Sequence, residues 1–218
     1  MTPSPATQQL EEFFSHYTTV SFDKGERILR EYDSPNGVFY IKKGVARIYL
    51  ISEEGNELTA LLHSPKSILP LRWAMTGLPN IYNYQAMTAV EMYRAPREGF
   101  QDFLKHHPEA CFQVSQQLVA DCSALVYRMQ HIVFGNAHSK VSSVVLTAAK
   151  RFSVKNEKNG DMIVEVPFTH QQIADSAGIT RETASLEMKK LKEEGLISYK
   201  GRSLIIHDME SLAKASFL

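Results

Sequence analysis

The chain has 218 residues, 24 Lys and Arg against 24 Asp and Glu, and 44% hydrophobic residues, which excludes a disordered chain and leaves room for one large domain or two small ones. Its two cysteines, Cys111 and Cys122, are too few for a disulfide framework. The N-terminus lacks a basic start followed by an apolar run, and no window approaches the ~18 apolar residues of a membrane span.

The expectation is therefore a cytoplasmic protein with no membrane association. Charge divides weakly along the chain: residues 1–137 carry 12 basic and 14 acidic side chains, net −2, and residues 138–218 carry 12 and 10, net +2. That is no obstacle to nucleic-acid binding, because phosphate contacts act through nearby Lys and Arg rather than through whole-chain charge.

From Val20 to about Arg97 short β-rich runs alternate with turn residues, with Gly25, Gly37, Gly44 and Gly55 at the hairpin turns. The alternation of Val45, Arg47 and Tyr49 against Ala46, Ile48 and Leu50 fits strands with one covered face. The reading is a small antiparallel β-barrel.

Helical periodicity begins near Glu98, and Pro108 suits the first turn of a long helix reaching Phe134. Cys111, Ser115, Leu118, Cys122, Leu125, Met129 and Ile132 step by four and three, the seam of a two-stranded coiled coil, flanked by Gln116, Gln117, Asp121 and Arg128. A helix packed on its own barrel is the alternative. Gly135 interrupts the helix and Asn136 caps the next, from about Ser139 to Ser153, which makes a candidate hinge. Asn159-Gly160 then marks a hairpin turn.

Thr169 and Gln172 form a capping box, a short helix with Ile173 and Ala177 inward follows, and Gly178 ends it. Thr180 caps a second helix from Arg181 to about Glu193, with Ala184, Met188 and Leu191 facing the first. On its outer stripe Arg181, Glu182, Ser185 and Lys189 stand where a major groove is read. Arginine pairs with guanine O6/N7, glutamate accepts from cytosine N4, and serine pairs with several edges. Lys190 and Lys192 add charge, and a β-hairpin after Gly195 carries Lys200 and Arg202 at a wing-like tip suited to phosphates. The alternative is an ordinary pair of helices with a solvated charged face.

These motifs resemble the cyclic-AMP receptor protein and fumarate-nitrate-reduction (CRP/FNR) family of bacterial transcription regulators, over nearly the whole chain. The helix-turn-helix signature is carried by Thr169-x-x-x-Ile173-Ala174, Gly178-Ile179-x-Arg181-Glu182-Thr183 and Leu191-x-x-x-Gly195-Leu196-Ile197. The barrel signature is carried by Lys24-Gly25-Glu26, Tyr40-Ile41-x-x-Gly44 and Glu54-Gly55-Asn56-Glu57. The resemblance implies an α+β chain with three parts. An effector-sensing, cyclic-nucleotide-binding-like jelly-roll barrel with an N-terminal helix spans 1–107, a dimerisation helix and hinge 108–135, and a winged helix-turn-helix 136–218. It further implies a homodimer on a pseudo-palindromic duplex, RNA polymerase as a partner, and a small-molecule effector. The DNA-contacting set is then Thr169, Thr180, Arg181, Glu182, Ser185, Lys189, Lys200 and Arg202.

Two departures matter. The stretch Ser67–Tyr84 lacks the Gly-Glu pair of a cyclic-nucleotide phosphate cassette, and Tyr82, Asn83 and Tyr84 replace its Arg-plus-small pattern, so no cyclic-AMP binding is expected. Arg72, Trp73, Tyr82, Tyr84, Leu125 and Met129 are the candidate effector-binding residues instead, although core packing accounts for the aromatic ones as well. In the second helix Leu186 stands where the family commonly has an arginine, and it suits a thymine methyl.

No metal, cofactor or enzyme activity is expected. Two thiolates cannot hold an iron-sulfur cluster, the histidines form no ligand set, and no Ser-His-Asp arrangement is visible along the chain. Buried seam cysteines are more often inert filler than redox sensors. A second reading of the whole is a small-molecule-binding or protein-interaction module whose helix-turn-helix is vestigial.

Overall fold

The computed structural model describes residues 4–157, 160–201 and 203–216. In chain order the elements are α1 (Pro5–Ser15), β1 (Thr18–Phe22), β2 (Arg27–Leu29), β3 (Val38–Lys43), β4 (Ala46–Ile51), β5 (Glu57–His63), β6 (Ile68–Leu69), α2 (Leu71–Thr76), β7 (Asn83–Ala86), β8 (Val90–Ala95), α3 (Arg97–His106) and α4 (Pro108–Phe134). They continue with α5 (Ala137–Phe152), β9 (Ser153–Lys155), β10 (Met162–Val164), α6 (His170–Ala177), α7 (Arg181–Glu193), β11 (Ile197–Lys200), β12 (Ser203–Ile206) and α8 (Met209–Ala215). One compact unit holds the chain up to Leu50 with Ala60–Ala124; the other holds Ile51–Thr59 with the chain from Leu125 on.

The first unit contains two four-stranded antiparallel sheets, ordered β1-β8-β3-β6 and β2-β7-β4-β5. Strand periodicity sorts the core. On β3, Phe39 and Ile41 meet Ala46, Ile48, Tyr84, Ala86, Val90 and Met92 between the sheets, while Val38 and Tyr40 turn to a second cluster with Leu10, Phe14, Phe100, Leu104 and Val114 of the helices. Each large side chain so buried stabilises by roughly 1.5–3 kcal/mol. Gly44 is required at its turn: its φ is +88°, and a Cβ there would lie 2.2 Å from the Ala89 carbonyl oxygen.

Strand β4 departs from the expected single covered face. Residues 46–49 are all buried, Arg47 and Tyr49 as well as Ala46 and Ile48. Arg47 is accommodated because its Nε donates to Gln85 Oε1 at 2.8 Å and its guanidinium lies 4.2 Å from the centre of the Tyr49 ring. A hydrogen-bonded, stacked arginine reads as a solvent-face residue in a hydrophobicity pattern.

Helix α4 carries an exposed apolar stripe that is wider than the expected seam. Of the expected positions Ser115, Leu118, Cys122, Leu125 and Met129 are exposed and Cys111 and Ile132 are half-buried, and beside them Phe112, Val119, Val126 and Val133 are each more than half exposed. Both sets have heptad spacing. The sequence contains apolar residues at adjacent positions, so spacing alone left the width of the stripe open.

In the second unit α5 packs against α6, α7 and α8, and the sheet is ordered β11-β12-β10-β9. Asn136 caps α5 by accepting the Ser139 amide at 2.9 Å, as expected. The β9–β10 pair is antiparallel and closes around Gly160, whose amide donates to the Asn156 carbonyl; Asn159 lies outside the described residues.

Candidate nucleic-acid interface and sensor barrel

The helix-turn-helix is built by its caps. Thr169 Oγ1 accepts the Gln172 amide at 3.1 Å while Gln172 Oε1 accepts the Thr169 amide at 3.0 Å. Gly178 closes α6 in the left-handed conformation, φ +64°, and its amide donates to the Ala174 carbonyl. Thr180 Oγ1 then accepts the Thr183 amide at 3.2 Å. Caps of this kind contribute about 0.5–2 kcal/mol each, and together they fix where α7 begins.

Ala184, Met188 and Leu191 are buried on the inner side of α7, as the periodicity requires. Arg181, Glu182, Leu186 and Lys189 are exposed on the outer side and Ser185 is half-buried. Leu186 is 61% exposed, an apolar side chain held in solvent on a face otherwise polar. Lys189 lies 3.6 Å from Glu193, a solvent-exposed pair that phosphate could outcompete. Lys190 is turned to Glu187 Oε1 at 2.7 Å instead. Lys200 is exposed at the end of β11 beside Gly201, whose φ is +61°; Arg202 lies outside the described residues.

Glu187 is the buried polar residue of α7 that periodicity missed. It is 6% exposed on α7, its Oε2 pairs with His138 Nδ1 at 3.0 Å, and Glu194 Oε2 lies 3.9 Å from Nε2 of the same ring. Burial alone pushes the Glu187 carboxyl up, but hydrogen bonds from Lys190 and His138 outweigh it and hold the carboxyl below the usual range. The available signal was a carboxylate three residues after the inward Ala184. The wing sheet holds a second surprise: Asp161 Oδ1 is 3.0 Å from His207 Nδ1, and His207 Nε2 is 2.7 Å from Ser198 Oγ. A Ser-His-Asp arrangement is thus present, invisible along the chain because three strands bring it together. It ties the strand ends on the half-exposed face of the sheet.

Among the candidate effector residues of the first unit, Arg72, Tyr82 and Tyr84 lie near enough to interact electrostatically. Arg72 Nη1 donates to the Pro79 carbonyl. Trp73 packs on the helix-side cluster, with the Arg97 guanidinium 5.6 Å from its ring centre and Arg97 Nε donating to its carbonyl at 3.0 Å. Tyr84 is 2% exposed between the sheets, with Tyr82 packed on the same cluster. Burial raises the Tyr84 hydroxyl pKa, with the neighbouring Tyr82 and Asp121 adding to the shift and Arg72 opposing it. Leu125 and Met129 lie on α4, 41% and 60% exposed. The loop before β7 is pinned by the buried Asn80, whose Nδ2 donates to the Arg30 and Tyr82 carbonyls at 2.6 and 2.7 Å. Among the described residues no helix is long and apolar enough to cross a membrane, and no cluster of His, Cys, Asp or Glu is placed to hold a metal ion.

Comparison with known proteins agrees with this architecture. Residues 19–107 match the model of the cyclic nucleotide-binding domain, and residues 140–215 that of the Crp-like helix-turn-helix domain. The chain is 24% identical over 196 residues to a global nitrogen regulator of Synechocystis sp., covering 89% of this chain and 86% of that protein. It is 22% identical over 199 residues to the cAMP-activated global transcriptional regulator CRP of Salmonella typhimurium, covering 91% and 93%. The structure of FixK2 from Bradyrhizobium japonicum superposes with a TM-score of 0.80 at 19% identity, covering 92% of this chain and 98% of that one. A Crp-like helix-turn-helix domain behind a cyclic nucleotide-binding domain is the make-up of CRP/FNR-type DNA-binding transcription regulators, and the chain carries both.

Proposed function

We propose that two copies of this chain, joined along α4, present two α7 helices to a pseudo-palindromic duplex, and that the barrel answers an effector other than a cyclic nucleotide. The observation that carries the reading is the outer stripe of α7. Arg181, Glu182, Ser185, Leu186 and Lys189 leave the domain on one side while caps and an apolar inner face hold the helix from the other. The exposed heptad stripe of α4 supports the second copy, because an apolar stripe of that length is costly in water and matches its own copy across a twofold axis.

Three features speak against a cyclic nucleotide. Arg72 is engaged with the Pro79 carbonyl, Tyr84 fills the space between the sheets, and Pro70, at the head of α2, has no amide to offer an anion. The protein acts in the cytoplasm by binding, not by catalysis, with RNA polymerase as the partner its DNA complex serves.

Thr169, Thr180, Lys189, Lys200 and Arg202 position the protein on phosphates, and Arg181, Glu182 and Ser185 read bases. Gel-shift titration over a range of salt tests this division. Lys200→Ala weakens binding to every duplex and reduces the salt slope by about 1; an unchanged slope would remove Lys200 from the interface.

A further inference from the structure

Two histidines flank the hinge at Gly135, and each is surrounded by acceptors on both ring nitrogens. His131, in the last turn of α4, is buried; its Nδ1 lies 2.9 Å from the Tyr127 carbonyl oxygen and its Nε2 2.9 Å from the Ser216 carbonyl oxygen after α8. A neutral imidazole has one N–H, so only the charged ring donates to both carbonyls.

His138, in the first turn of α5, stands between two carboxylates of α7, Glu187 at 3.0 Å and Glu194 at 3.9 Å, with Lys190 on the far oxygen of Glu187. The two carboxylates are what the charged ring serves. Charged, His138 completes a group of two anions and two cations; neutral, it leaves one anion in excess beside the recognition helix. No other charged side chain among the described residues comes within ion-pair distance of either ring.

We propose that His131 and His138 are proton-dependent positioning residues for DNA reading: when both rings are charged they tie α4 to the end of α8 and α5 to α7, and operator affinity rises. The physical route is pre-organisation. If the free domain holds α7 in the reading orientation only part of the time, observed affinity falls by that fraction, and a charged tie restores it. The inference rests on the DNA-reading function proposed above.

The test measures affinity of the full chain for its selected operator and for a random duplex at pH 6 and pH 8, at constant ionic strength. Wild-type protein is expected to bind the operator roughly fivefold more tightly at pH 6, relative to random duplex. His131→Gln and His138→Gln each reduce that ratio and the double variant brings it near one. The random duplex absorbs the general charge effect of other histidines, such as His170 and His207. A wild-type ratio of one, or a double variant that keeps the wild-type ratio, overturns the inference. Were no operator bound at either pH, the DNA-reading function itself would fail. The ties would then be judged by thermal unfolding, where the wild type must gain on the double variant between pH 8 and pH 6 or the inference falls.

Discussion

Gln117 of α4 completes the edge of β6: its Oε1 accepts the Ile68 amide at 3.0 Å and its Nε2 donates to the Ile68 carbonyl at 3.0 Å. A side-chain amide thereby stands in for a neighbouring strand at the point where the chain turns into α2. Gln117→Leu leaves both main-chain groups unpaired and is expected to cost about 1–3 kcal/mol. Urea unfolding of the full chain checks this, with a lower midpoint at unchanged slope as the predicted result.

Glu187 gives a prediction in acid. Its folded-state carboxyl titrates below the unfolded one, so in acid the unfolded chain takes up the proton first. The stability it contributes is complete above the ordinary carboxylate range and is lost as pH falls through the lowered folded value. Glu187→Gln should therefore be less stable than wild type at pH 7, and the gap should narrow as pH drops below about 4. Thermal unfolding across pH 3 to 7 reads this directly; a constant gap would mean that the carboxylate charge is irrelevant.

The stripe on α4 predicts association. Val126→Glu places a charge in the exposed row Phe112, Val119, Val126 and Val133, and burying it unpaired against a second copy costs several kcal/mol. Sedimentation should show wild type as a dimer and Val126→Glu as a monomer of normal fold. Leu125→Glu, at the edge of that row, should weaken association less.

For the barrel, calorimetric titration with cyclic AMP at micromolar protein should give no binding heat. A saturable signal there would show that a pocket forms despite the engaged Arg72 and the buried Tyr84.

Much of this was legible in the sequence because the signals are local. Thr169 with Gln172, Gly178 and Thr180 are caps whose chemistry acts within a few residues, so both helices of the DNA-reading motif follow from them. The barrel follows from strand alternation and turn glycines. What the sequence hid depends on partners distant in the chain. Arg47 is buried because Gln85 and Tyr49 receive it. Glu187 is buried because α5 brings His138 to it, and Asp161, His207 and Ser198 meet only once three strands pair. The width of the α4 stripe was hidden for another reason: apolar residues occupy neighbouring heptad positions, and spacing does not say how many of them stay exposed.

The account turns on α7 reading base edges, and selection of bound duplexes from a random pool tests that most directly. Wild-type protein should enrich a pseudo-palindrome with half-sites about 34–36 Å apart, one helical turn. Arg181→Ala should lose about 1–3 kcal/mol of discrimination at one symmetric pair of positions while keeping its affinity for random duplex. An unenriched pool, or an Arg181→Ala protein that selects the same sequence with the same preference, would contradict the assignment of this helix to DNA.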